Sequence, residues 1–171
     1  MSGRTVFRRG PSQRRAASVI LAAAIAACAT FPCLAVEGES DLQAATIADP
    51  DYAAGRKAVE ARDWNAAIKY FSSAALRAPD NADIQNYLGY AHRKAGTLEP
   101  AFKHYQRALE LNPRHRGAHE YVGEAYLMVD NLAKAEEHLA ALDRICLLPC
   151  EEYSDLRRAI AGYKKKSAGA K

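Results

Sequence analysis

The chain has 171 residues, with 24 Lys and Arg against 20 Asp and Glu, a net charge of +4. Arg4, Arg8, Arg9, Arg14 and Arg15 lie in residues 1–35 with no acid beside them, so residues 36–171 hold 24 − 5 = 19 bases against 20 acids, or −1. The basic balance therefore belongs to the N-terminal segment and gives no argument for nucleic acid, while the remainder is long enough for one domain with a modest core.

In chain order, the first element is that segment. Its arginines precede the apolar stretch "AASVILAAAIAACAT", after which "PCLAVEGES" turns abruptly polar and acidic. A basic head, a short apolar core and small residues at a cleavage point describe an export signal over residues 1–35, cut after Ala35. Two rivals stand beside it. "IAAC" at Ile25–Cys28 resembles a bacterial lipobox, with Cys28 then lipidated, or the apolar stretch stays as a membrane anchor. Export implies a periplasmic or secreted protein, with a membrane-anchored lipoprotein as the alternative. Residues 36–47 carry no periodic pattern and read as a linker.

From residue 48 the sequence repeats with a period of 34. Gly55, Gly89 and Gly123 share one column, as do Ala67, Ala101 and Ala135; Trp64, Leu98 and Leu132; Phe71, Tyr105 and Leu139; Ala74, Ala108 and Leu142; and Pro79 with Pro113. The units are 48–81, 82–115 and 116–149. Each contains two apolar runs at helical spacing, divided by turn residues. In the second unit, one helix stops at Gly96 and the next starts at Leu98, with Pro100 in its first turn and Asn112-Pro113 after it. Glycine inside a helix costs up to ~1 kcal/mol relative to alanine, so three in register imply helices in close contact. No run has the alternation of a strand.

Residues 150–166 continue the first-helix spacing through Tyr153, Leu156 and Ile160, with Arg157 in the glycine column, and predict a capping helix. Residues 167–171 form a basic tail. Cys146 and Cys150 flank the turn into the cap. Oxidation is expected for neighbouring cysteines of an exported chain, and closing so short a loop stabilises by about 2 kcal/mol on the chain-entropy estimate. The alternatives are a metal pair, which lacks nearby further ligands, and a redox centre, which more usually reads Cys-x-x-Cys.

Little else suggests chemistry. His115 and His119 could grip a metal if they shared a helix, but they straddle a predicted helix start beside Arg114 and Arg116 and read as surface histidines. His104 and His138 share a column and read as outer-face neighbours. No Gly-rich phosphate loop, nucleophile elbow or acidic pair with a motif around it is present, so no catalytic residue, metal or cofactor is assigned.

The columns resemble the tetratricopeptide repeat family through Leu88-Gly89-x-x-His92, Ala101-x-x-x-Tyr105, Ala108 and Pro113, with Val122-Gly123-x-x-Tyr126 and Ala135-x-x-x-Leu139 repeating the pattern. The first unit matches at Gly55, Ala67, Phe71, Ala74 and Pro79. The family's early Trp is replaced by Asp51, Gln85 and His119, in a column read as permissive. The resemblance implies an all-α right-handed solenoid of three helix-turn-helix repeats plus the cap, and a concave face that binds partner segments. Carried across, the lining columns are Tyr52, Arg56 and Val59, then Asn86, Tyr90 and Arg93, then Glu120, Glu124 and Leu127. The family's clamp for a C-terminal carboxylate has no counterpart, since its places hold Tyr52, Arg56, Tyr87, Gly117 and Tyr121. The expected function is a non-catalytic adaptor of the cell envelope that binds a protein or peptide segment. It would not bind nucleic acid and would touch membrane only through residues 1–35. The alternative is an accessory factor handling thiols or metal through Cys146 and Cys150.

Overall fold

Most of the helix starts are set by one side chain each. Asp49 accepts hydrogen bonds from the amides of Asp51 and Tyr52, both at 2.9 Å. Asp63 caps Ala66 at 3.0 Å, Asn81 caps Ile84 at 3.0 Å and Asn131 caps Lys134 at 3.1 Å. Each such cap contributes on the order of 1 kcal/mol. The computed structural model describes residues 49–169, within which the chain forms seven helices and no strand. They are α1 (Pro50–Glu60), α2 (Trp64–Arg77), α3 (Ala82–Lys94), α4 (Leu98–Leu111), α5 (Arg116–Met128), α6 (Leu132–Ile145) and α7 (Glu151–Gly169). Three pairs and a last single helix follow the period of 34. The expected signal, its Ala35 cut, the lipidation at Cys28 and the linker 36–47 lie outside the described residues. No described helix is long and apolar enough to cross a membrane.

Within each pair the helices are joined by the same turn. The amides of Asp63, Thr97 and Asn131 each donate to a carbonyl five residues earlier, Ala58, His92 and Tyr126, at 2.9 Å. The residue before each has positive φ: Arg62 at 57°, Gly96 at 82° and Asp130 at 58°. This is a Schellman stop, which needs a left-handed residue. Only the middle unit supplies glycine there. Arg62→Gly is therefore expected to stabilise by up to about 1 kcal/mol, the cost of left-handed backbone at a residue with a Cβ less glycine's added chain entropy. Urea denaturation checks it. Asp130 is a poorer site for the same change, because its Oδ1 accepts from the Tyr163 hydroxyl at 3.1 Å.

The core follows from the small columns. At Gly89 an added Cβ would lie 2.6 Å from the Tyr105 ring, and Tyr105, Ala101 and Ala108 are fully buried. The third unit departs from the expected pattern. At Gly123 the nearest atoms belong to Leu156 of α7, 2.7 Å from where a Cβ would stand. Leu139, in the column of Phe71 and Tyr105, is only half-buried. Leu is shorter than an aromatic ring, and the cap's Leu156 takes the space against the glycine. Leu156 and Ile160 join Ala135 and Leu142 in one apolar cluster. The capping helix thus completes the third unit. It also continues to Gly169, so residues 167–169 of the expected tail are helical.

Candidate functional site

The first helices α1, α3 and α5 carry all nine residues expected to line a groove, and the structure sorts them into two kinds. Tyr52, Asn86 and Arg93 are buried, at 8%, 4% and 8% exposure. Tyr52 does not present a free ring. It meets Phe71 and Tyr87 edge-on, with centroids 5.8 and 5.7 Å away. Tyr90 is half-buried between Trp64 at 6.1 Å and Tyr121 at 4.8 Å. Val59 and Leu127 are half-buried against the first and third clusters. Tyr52, Tyr90 and Leu127 thus each have partners within the chain. Successive first helices sit close enough for each ring to pack on its neighbour. Arg56 remains exposed, with its guanidinium 5.2 Å from the Tyr87 ring centre.

Arg93 is the centre of the face. Its Nη1 lies 2.6 Å from Glu124 Oε2, its Nε donates to the Tyr105 hydroxyl at 3.3 Å, and its guanidinium is 5.4 and 5.6 Å from the Tyr90 and Tyr121 ring centres. A cation held by a carboxylate, a phenol and two aromatic faces is a structural joint between α3, α4 and α5. It is not a loose surface charge.

Toward α7 the face opens into a cavity of about 510 Å³ lined by residues of α3, α5 and α7, among them Asn86, Tyr87, Glu120, Tyr121, Glu152 and Asp155. Glu120 is half-buried and forms no hydrogen bond or ion pair with the described residues. Burial, then the charges of Glu124, Asp155 and Glu152, push its carboxyl up to about 8, against a smaller opposing effect of Arg93. Asn86 Oδ1 is buried and has no donor among the described residues. Sequence reasoning gave the cap no part in the groove. The available signal was register, because Asp155 falls 34 residues after Tyr121 and so takes a first-helix lining place.

The histidines are not surface residues. His115 caps α5, its Nδ1 accepting from the Ala118 amide at 3.1 Å, and its Nε2 then donates to Asp83 at 3.0 Å. His119 is buried, with Nε2 3.1 Å from the Pro113 carbonyl and Nδ1 2.9 Å from Nδ1 of His138. A carbonyl can only accept, so neutral His119 donates from Nε2, accepts at Nδ1, and fixes His138 with its proton on Nδ1. One repeat earlier, Gln85 does the same work: Nε2 donates to the Pro79 carbonyl at 3.0 Å, and Oε1 accepts from His104 at 2.8 Å. His104 and His138 are therefore each tied to the first helix of their own unit. In the second and third units the column read as permissive links the preceding loop to the second helix.

The second pair is sensitive to acid. Burial, then His119, lowers His138 to about 4, and burial lowers His119. A folded-state pKa below the unfolded value near 6.5 means the native state binds fewer protons, so this contribution is full above about pH 6.5 and lost as pH falls toward 4. His119→Gln, which copies the Gln85–His104 pair, is expected to keep Tm at pH 7 within about 3 °C. It should also flatten the fall in Tm between pH 6.5 and 4.5, as thermal melts across that range will show.

At the end of α6, Cys146 and Cys150 are bridged sulfur to sulfur with Cα atoms 5.9 Å apart. The intervening Leu147 and Leu148 are 99% and 81% exposed.

The tetratricopeptide repeat profile matches residues 52–114 and 101–146, more than half of the chain. Among curated proteins, the human protein O-mannosyl-transferase TMTC3 is 32% identical over 75 residues, covering 44% of this chain but 8% of that protein. Among solved structures, the TPR2B domain of yeast Sti1 in its complex with pHsp70 superposes with a TM-score of 0.59 at 19% identity, covering 68% of this chain and 94% of that one. PcrH in complex with the chaperone-binding region of PopD gives 0.60 at 19% identity, with 73% and 94% covered. The Sgt2 TPR domain of Aspergillus fumigatus gives 0.58 at 18%, with 77% and 80% covered. Identities this low speak for the fold alone. With the helix pairs, their glycine contacts and the matched profile taken together, this chain belongs to the tetratricopeptide repeat family.

Proposed function

We propose that this protein is a non-catalytic scaffold of the cell envelope, exported by its N-terminal segment, that holds a segment of a partner protein along the face of α1, α3 and α5. The observation that carries the reading is that face itself. It joins an aromatic row (Tyr87, Tyr90, Tyr121), an exposed Arg56 and an acidic cavity within one family-typical surface. Aromatic rings with adjacent charge suit a segment that is part apolar and part polar. The bridged Cys146–Cys150 pair fits an oxidising compartment.

The test is capture of a partner from envelope extract and comparison of two variants. Tyr90→Ala with Arg56→Glu, on the first helices, should weaken capture at least fivefold with native circular dichroism. Arg93 is left intact because removing it would disturb the fold. Glu136→Ala with Glu137→Ala, both exposed on α6, should leave capture unchanged. Loss in the second pair with retention in the first would move the interaction to the second helices. Mass spectrometry of the same material should find a chain beginning near Val36. An intact Met1 in a soluble cytoplasmic protein would refute export, and a diacylated Cys28 would make it a lipoprotein.

A further inference from the structure

Resting on that reading, we propose that the α7 end of the groove is a seat for one positively charged side chain, lysine or arginine, of the bound segment, held between the Glu120 carboxylate and the Asn86 carboxamide. Two independent features of the cavity demand the same kind of group. Glu120 is a half-buried acid that forms no ion pair with the described residues, and Arg93 acts on it more weakly than burial and the neighbouring acids do. The Asn86 oxygen is an acceptor with no donor, on a side chain that is 96% buried by its 4% exposure. An unpaired buried acceptor costs about 1–3 kcal/mol, and native structures rarely leave one without a reason.

Apart from Glu151, and from Arg114, which donates to the Ile145 carbonyl at 3.5 Å, the other charges lining the cavity are engaged in ion pairs. Arg116 lies 3.5 Å from Glu152, His115 donates to Asp83, and Asp155 pairs with the exposed Arg158 at 2.9 Å. Glu124, one turn beyond Glu120 on α5, has found its cation in Arg93. On α3 the cavity is lined by Asp83, Asn86 and Tyr87, none of them a cation, so Glu120 finds no such partner there. A negative field excludes an anionic occupant. A neutral amide would satisfy Asn86 and leave the carboxylate unpaired. A metal ion fits poorly, because no group of three His, Cys, Asp or Glu among the described residues could hold one. An ammonium or guanidinium supplies several N–H donors and the charge together. The Arg93 joint, with Glu124, Tyr90 and Tyr121, is the same arrangement filled from within the chain.

Binding should be coupled to proton release. Around Glu120 lie Glu124 on its own helix, Arg93 and Asp83 on α3, Glu151, Glu152 and Asp155 on α7, and Arg114, His115 and Arg116 at the head of α5. Its raised carboxyl is largely protonated at pH 7, and a cation in the seat favours the ionised form. Affinity therefore rises with pH up to about 8 and levels off above.

The experiment titrates the ¹⁵N-labelled full chain with acetyl-Tyr-Arg-Ala-amide and acetyl-Tyr-Lys-Ala-amide, and with the citrulline and norleucine versions as uncharged controls. The charged peptides are expected to shift the Asn86 side-chain amide and the Gly117 and Glu120 backbone amides, at least tenfold more tightly than the controls. Glu120→Gln with Asp155→Asn should weaken them at least tenfold and remove the pH dependence, while Glu136→Ala with Glu137→Ala does neither. Equal binding of the uncharged peptides, absence of shifts at this cavity, or unchanged affinity in the Glu120/Asp155 variant overturns the seat. So would the same shifts from calcium chloride, which would mark a metal site. If that variant still captures the envelope partner while Tyr90→Ala with Arg56→Glu does not, the groove reading stands and only the seat falls. If both capture it, both readings fall.

Discussion

Tyr105→Ala is expected to lower the free energy of unfolding by about 3–5 kcal/mol, a large part of the stability of a domain this size. The ring is fully buried, lies against Gly89 where α3 and α4 pack together, and clusters with Ala101 of its own helix and with Val122 and Ala125 of α5, so its loss opens a cavity between the second and third units. The backbone at Gly89 cannot close in further to fill it. Tyr105→Phe separates the two roles of the side chain. It keeps the ring and deletes only the hydroxyl that accepts from Arg93, and should cost about 1 kcal/mol. Urea denaturation of the two variants checks the ranking. A Tyr105→Ala protein within 1 kcal/mol of the parent would mean that the glycine column does not mark a tightly packed joint.

The second large effect is Arg93→Ala, expected to cost about 2–4 kcal/mol. Removing one partner of a buried ion pair leaves the other desolvated and unpaired. The lower end of that range reflects the partial exposure of Glu124, 28% for its side chain against 9% for Arg93, which lets water screen the stranded charge. Glu124→Gln in the same protein should recover part of the loss, so that the double variant is more stable than the sum of the singles predicts. Strict additivity would mean that the pair is not coupled. The result also bears on binding assays, because an Arg93 variant that loses its partner has lost a joint of the scaffold along with one side chain of the surface.

The repeat was legible because small residues are periodic for a packing reason that sequence displays. Gly89 and Ala101 recur at 34 since backbones approach there, and Tyr105 fills what they leave open. The paired helices, their turns and the family follow from those columns. What sequence concealed is contact between units. Asp51, Gln85 and His119 looked interchangeable because three residue types filled one column. Yet Gln85 and His119 make the same two hydrogen bonds, to a proline carbonyl and a histidine, using different atoms. Arg93 read as a groove charge because helical spacing placed it on the right face. The depth of its burial depends on Glu124 in the next unit and Tyr105 in the next helix, and no local pattern reports either. The acidic cavity needed Glu152 and Asp155 from a helix understood only as a lid, so its charge could not be summed until α7 was placed.

The glycine column also says where this array can be lengthened. Gly55, Gly89 and Gly123 each admit a large side chain against their backbone, whereas α7 carries Arg157 at the next place, exposed and lying 5.6 Å from the Tyr153 ring centre. A further second helix brought against α7 would meet that side chain where it requires bare backbone. Copies of the module engineered onto the far side of α7 should therefore fold as separate beads, each with its own unfolding transition. A 34-residue unit spliced between His115 and Arg116 keeps every glycine in phase and should melt with its neighbours as a single block.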